Sequence, residues 1–143
     1  MKTCTFFGHR DCPDTVKPRL REVLVQLIER NGMDRFYVGH QGAFDAIVRA
    51  VLRELVQSYP QIRYDIILAY VPQEKFDFDT EMEQHTLLPE GIETVPRRFS
   101  IDRRNRWMLQ QSDYVVTYVR YSWGGAAKFA SEAKRLRKVV VEI

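Results

Sequence analysis

From its first residues the chain switches between two hydrophobic periods. Thr3 to Phe7 is a short apolar run of β-branched and aromatic residues, and Asp11, Pro13 and Asp14 behind it are signals of a turn and a helix start. Val16, Leu20, Val23, Leu24, Leu27 and Ile28 then recur at helical spacing until Asn31-Gly32 closes the segment. Phe36 to Val38 predicts a second strand. Phe44, Ile47, Val48, Val51, Leu52, Leu55 and Val56 predict a second amphipathic helix that ends before Pro60. Asp65 to Val71 is apolar enough for a strand buried on both faces, as parallel strands are, and Pro72 stops it.

The pattern then lapses. Gln73 to Gly91 is polar and acidic with no period, which reads as a long excursion or lid. Within it Glu74, Asp77, Asp79, Glu81 and Glu83 alternate with Phe76, Phe78 and Met82, without the spacing of a calcium loop. A short strand is expected at Ile92 to Val95. Ser100 to Gln111 is helical, with Ile101, Trp107 and Met108 as its buried positions. Tyr114 to Tyr118 is a strand, Trp123-Gly124-Gly125 leads into a helix through Leu136, and Lys138 to Ile143 is the closing strand. Five or six short strands alternate with four helices, and no linker or repeat divides them. This predicts one domain over residues 1–143: an α/β fold of three layers, with helices flanking a mainly parallel sheet joined by right-handed crossovers.

Length and composition agree with one folded unit. The chain has 143 residues, 45% hydrophobic and 29% charged, enough for one core and too few for two ordinary domains. Its first ten residues fit neither a signal peptide nor a membrane span, so a cytoplasmic location away from membranes is expected. Two cysteines, Cys4 and Cys12, do not make a disulfide framework, and reduced, packed thiols are expected. A net charge of +3 suits an anionic ligand but is much weaker than the footprint of a dedicated nucleic-acid binder.

An open parallel sheet binds ligands outside the carboxyl ends of its strands, at a topological switch point. Three strand-to-helix loops are placed on that edge: Gly8-His9-Arg10, Gly39-His40-Gln41-Gly42 and Ser122-Trp123-Gly124-Gly125. Glycines let such loops turn sharply or approach a ligand, and the helix behind each loop presents N–H groups and partial positive charge to an anion. Phosphate cradling is the chemistry implied, although such loops also need glycine for the turn alone. The three-glycine dinucleotide fingerprint is absent, and so is the Lys-Ser/Thr pair of a P-loop.

Taken in order, "TFFGHR", "FYVGHQGAFDAIV", "IILAYVP", "RRNRWMLQQSDYVVTYV", "WGGAAKFASEA" and "KVVVEI" resemble the SLOG superfamily over nearly the whole chain. This Rossmann-like group contains the DNA-processing protein A and the LOG phosphoribohydrolases, and the likeness is greatest to its small, stand-alone YpsA-like members. The resemblance implies a pocket for a nucleotide or nucleotide derivative, with Gly39, Gly42 and Asp45 matching the second-strand motif and Gly124-Gly125 the later glycine pair. It also makes a homodimer an expectation. In the LOG enzymes an Arg-Lys pair before a Met, together with a glycine-rich signature ending in Thr and then Glu, supports cleavage between base and ribose 5′-phosphate. Here Arg104 stands four before Met108, Asn105 replaces the Lys, Ser131 falls at the Glu position, and Glu132 is one residue off. A one-residue shift turns a helical side chain by more than a quarter-turn.

Each candidate carries two readings. His9 and His40 contact phosphate or ribose, or cap their loops. They and the two cysteines lack the paired spacing of a zinc site, and no cofactor or metal is expected. Arg10 and Arg104 clamp phosphate or join ion pairs, while Arg97, Arg98 and Arg103 read as a solvated face. Asp45 holds a ribose hydroxyl or caps the second helix. Trp123 stacks on a base or packs under its loop. Ser112-Asp113 reads as turn chemistry ahead of its strand. Three functions follow: a nucleotide sensor or ligand-binding protein without turnover; a phosphoribohydrolase or N-glycosidase with Arg104 on phosphate and Glu132 or Asp45 as carboxylate; and single-stranded DNA binding through Arg97, Arg98, Arg103, Arg104 and Arg106.

Overall fold

A computed structural model describes residues 2–70 and 85–143. Its elements run β1 (Thr3–Gly8), α1 (Lys17–Asn31), β2 (Arg35–Val38), α2 (Gly42–Ser58), β3 (Arg63–Ile67), β4 (Thr86–Leu87), α3 (Arg97–Gln111), β5 (Tyr114–Tyr118), α4 (Gly124–Arg135) and β6 (Val139–Glu142). All strand pairings are parallel, and the sheet has the order β4-β3-β2-β1-β5-β6. The expected parallel α/β architecture is therefore the observed one, a Rossmann-like sheet with six strands.

Side-chain alternation along β1 divides the core between the two faces of the sheet. Phe6 joins Leu20, Leu24, Phe44, Val48 and Leu52 of α1 and α2, whereas Phe7 joins Met108 and Leu109 of α3 and Phe129 and Ala133 of α4. Three layers follow directly. Leu20, Val23, Leu24, Leu27 and Ile28 of the α1 stripe are buried, Val16 ahead of it is half-buried, and the helix end is set by Gly32 in the left-handed region at φ 69°, where Met33 N–H reaches back to the Leu27 carbonyl at 3.0 Å. Cys4 and Cys12 are buried free thiols.

Several elements differ from expectation, and α3 starts at Arg97, ahead of Ser100. β3 begins at Arg63, in register with Arg35 of β2, and stops at Ile67, well before Val71. The Ile67 carbonyl accepts a hydrogen bond from Arg104 Nη1 at 3.1 Å. Ile92–Thr94 is a 3-10 turn and not a strand, closed by local bonds such as Thr94 N–H to the Gly91 carbonyl. The additional strand is Thr86–Leu87, which pairs with Ile66 and Ile67 inside the segment read as an excursion. The acidic part of that stretch, Glu74 to Glu83, lies outside the described residues. On α3, Met108 is buried as expected, but Ile101 and Trp107 are half-buried, and the remaining buried positions are Ser100, Arg104 and Leu109.

Candidate functional site

The chain extends from β1 through β2 and β3 to β4 on one side, then returns through α3 to β5 on the other side of β1. The β1–β5 junction is thus the switch point, where the loops leaving the two strands diverge. A cavity of about 430 Å³ opens there. Its walls are Phe6 through Asp11 at the end of β1, Gln41 and Asp45 at the start of α2, Ile101, Arg104, Asn105 and Met108 of α3, and Tyr121 with Trp123 through Ala126 at the start of α4. The first and third glycine loops border it directly. From the second come Gln41 and Asp45, while Gly39, His40 and Gly42 are not in the lining.

Packing explains why glycine stands behind the cavity. A Cβ on Gly39 would lie 2.6 Å from Asp45 Oδ2 and 2.8 Å from Arg104 Nη1, so the missing side chain lets these two ionisable groups converge. A Cβ on Gly8 would meet the Phe44 ring at 2.2 Å, and one on Gly42 would meet the main chain of Arg10 at 2.7 Å. These three glycines draw the loops together. Gly124 and Gly125 differ: Gly124 has φ 90°, and nothing crowds the space beside it.

Two of the N–H groups at the start of α2 are bonded from within the protein. Asp45 Oδ2 accepts the Gln41 N–H at 3.0 Å, and the Arg10 carbonyl accepts the Ala43 N–H at 2.9 Å. The helix-capping reading of Asp45 is the observed geometry, and the carboxylate also complements the helix dipole. At α4 no side chain among the described residues caps the first turn, and no acidic residue sits in it. Gly124, Gly125 and Ala126 of this turn line the cavity, and the first N–H groups of a helix have no partner within the helix.

Arg104 connects these parts. It is 2% exposed, donating from Nη1 to the Ile67 carbonyl and from Nε to Asn105 Oδ1 at 2.8 Å. Accepting through Oδ1 orients the Asn105 amide, with Nδ2 3.9 Å from where a Gly125 Cβ would stand. Burial holds the Arg104 guanidinium below its ordinary range against the opposing pull of Asp45. Burial likewise raises the Asp45 carboxyl, against Arg104 and the Gln41 N–H. Arg10, by contrast, is exposed at the rim.

His9 is 4% exposed, and its Nε2 accepts the Arg120 N–H at 2.8 Å. Its ring stacks on Tyr121 at 3.6 Å between centroids, and Tyr121 stacks on Trp123 at 4.2 Å. Tyr121 also donates its hydroxyl to Asp11 Oδ1 at 3.1 Å. Trp123 ends this ladder with 68% of its surface exposed.

Glu132 is elsewhere. It pairs with Arg135 and with Arg106 on the flank of α4 and is not among the residues that line the cavity. Those contacts hold its carboxyl below the usual range, Arg135 foremost. Arg97, Arg98 and Arg103 are exposed, as expected of a solvated face. Among the described residues no group of three His, Cys, Asp or Glu side chains is placed to hold a metal ion. Sequence reasoning missed Asp11, Tyr121 and Ala126, and it named Gln41 only as part of its loop. The three missed residues neighbour ones that it chose, so a wider window around each glycine loop would have found them. No protein-family model matches this sequence, and no curated protein does.

Proposed function

We propose that the protein binds a nucleotide or nucleotide derivative in the crevice at the β1–β5 junction, as a sensor or ligand-binding protein. The observation that carries this reading is the uncapped start of α4, which opens onto a cavity that also presents the Asn105 amide, the Arg10 guanidinium and an exposed aromatic face. A phosphate at Gly124, Gly125 and Ala126 meets N–H donors and the positive end of a helix dipole. Asn105 adds a neutral donor, and Arg10 a charged one. Trp123, next to Gly124 in the chain and lining the same cavity, offers a flat, exposed apolar surface on which a base can stack. A volume of about 430 Å³ is within the ordinary range for small-molecule sites. Resemblance to the SLOG superfamily supports the same choice.

Native mass spectrometry of freshly purified protein, followed by release and identification of any bound molecule, tests this. Arg10→Ala and Trp123→Ala are the informative controls, because both side chains are exposed at the cavity and neither substitution opens the core. A nucleotide that co-purifies with the wild type and is lost from these variants is the expected result. An empty wild type whose thermal stability is unchanged across a nucleotide panel would sink the reading.

A second reading is supported by Asp45. Of the two carboxylates assigned to N-glycoside cleavage, Asp45 lines the cavity and Glu132 does not. A carboxylate there could stabilise a cationic sugar or activate water. Incubation with the same nucleotide panel decides it: free base supports hydrolysis, and no release from any member rejects it.

A further inference from the structure

We infer that neutral His9 is a latch that fastens the loop from Arg120 to Trp123 onto the end of β1, and that protonating His9 releases this loop and one wall of the crevice. The geometry requires a specific tautomer. Nε2 accepts the Arg120 N–H at 2.8 Å and so carries no proton, which leaves the ring proton of the neutral form on Nδ1. Adding a second proton would set an N–H against the Arg120 N–H, converting the bond into a contact between two donors. The neighbouring backbone bond is long, with His9 N–H reaching the Tyr118 carbonyl at 3.3 Å.

The stack transmits this change to the cavity. Tyr121 lies flat on His9, with an interplanar angle of 10°, and Trp123 lies on Tyr121. Tyr121 and Trp123 both line the crevice, and Gly124 with φ 90° follows as the first residue of α4. The ionisable groups around the ring are Arg10 and Asp11 on its own loop and Tyr118, Arg120 and Tyr121 on the opposing strand and loop. Asp11 favours the charged ring, and Arg120 opposes it. Burial is the largest influence and holds the imidazole below its ordinary value near 6.5. The unfolded chain therefore takes up a proton before the folded one. Stability attached to the latch is complete above the unfolded value and declines as pH falls below about 6.5 toward the folded value.

Trp123 supplies a readout that needs no ligand. In a Trp107→Phe background its fluorescence and quencher accessibility are followed against pH, beside a His9→Gln variant. Glutamine offers an amide oxygen to the Arg120 N–H but does not titrate. The expected result is a reversible transition in Trp123 with a midpoint below about 6.5, absent from His9→Gln. The same transition in His9→Gln would overturn the latch, as would an imidazole nitrogen NMR spectrum with Nε2 protonated at neutral pH. The link to the crevice rests on the binding reading and is tested with adenosine 5′-monophosphate. Its affinity should weaken about fivefold across the transition, in line with loss of one hydrogen bond's contribution, and remain level in His9→Gln. An affinity unchanged in the wild type would overturn the coupling. If this nucleotide fails to bind at any pH, that coupling is rejected along with adenylate as ligand, whereas the Trp123 transition still decides the latch.

Discussion

Arg104 is a cation that this fold treats as core. A lone charge at 2% exposure would be prohibitive, and here the Ile67 carbonyl, Asn105 Oδ1 and nearby Asp45 compensate it. Arg104→Ala would remove that compensation from buried Asp45 and open space between α3 and the sheet. It should destabilise the protein by about 3 kcal/mol, measured by urea unfolding. A phosphate clamp made from a free surface arginine would instead show a change of under about 0.5 kcal/mol. Gly39→Ala tests the same convergence from the other side. Its Cβ would stand 2.6 Å from Asp45 Oδ2, so the carboxylate or the guanidinium must shift. The expected loss is about 1–3 kcal/mol, and an unchanged unfolding midpoint would disprove the crowding.

At the scale of elements, the two helices that start at the crevice have different roles. Asp45 and the Arg10 carbonyl occupy the first turn of α2, and α4 has no such protein partner among the described residues. The proposed binding places the ligand's anionic group at α4. Asn105→Asp tests this with almost no change in shape. The aspartate keeps an acceptor for Arg104 Nε but places negative charge near Gly125. Stability should change by less than about 1 kcal/mol, because a carboxylate near a helix start is favourable. Affinity for a phosphorylated ligand should fall tenfold or more, by about 1.4 kcal/mol at least, read by calorimetry. Equal affinity in the variant would remove α4 as the phosphate site. Both ends of this element pattern were partly legible in the sequence: the glycine pair marked the start of α4, and Asp45 was read with helix capping as one of its two roles. Which helix start was already filled could not be read, since the filling atoms come from Arg10 on another loop.

For the molecule as a whole, the crevice joins both sides of the switch point. A ligand bound there contacts the loops after β1 and β5 together with α3, and favours the folded state by mass action. At a hundredfold excess over Kd the gain is about 2.7 kcal/mol, visible as a raised midpoint in thermal unfolding. Arg10→Ala should reduce that gain at fixed ligand concentration without lowering the unliganded midpoint. If both midpoints fall together, Arg10 supports the fold and not the ligand.

Local information was sufficient where each residue meets its surroundings through its own element. Short apolar runs predicted β1, β2 and β5, and helical spacing predicted α1 and α2, because apolar side chains on a strand or helix face must be buried whatever covers them. Of the loop glycines, Gly8, Gly124 and Gly125 line the cavity at the β1–β5 junction. On α3 the pattern was obscured, since Ser100 and Arg104, two of the three residues in its buried stripe with Met108, are polar. Only the tertiary structure decided that Arg104 is buried, that Thr86–Leu87 joins the sheet in place of Ile92–Val95, and that Glu132 faces Arg106 and Arg135 away from the cavity. Each depends on partners distant in sequence: the Ile67 carbonyl for Arg104, the free edge of β3 for Thr86, and the neighbouring helix for Glu132. Hydrophobic periodicity records whether a face is covered; hydrogen bonds and ion pairs across elements depend on which groups the fold brings opposite one another.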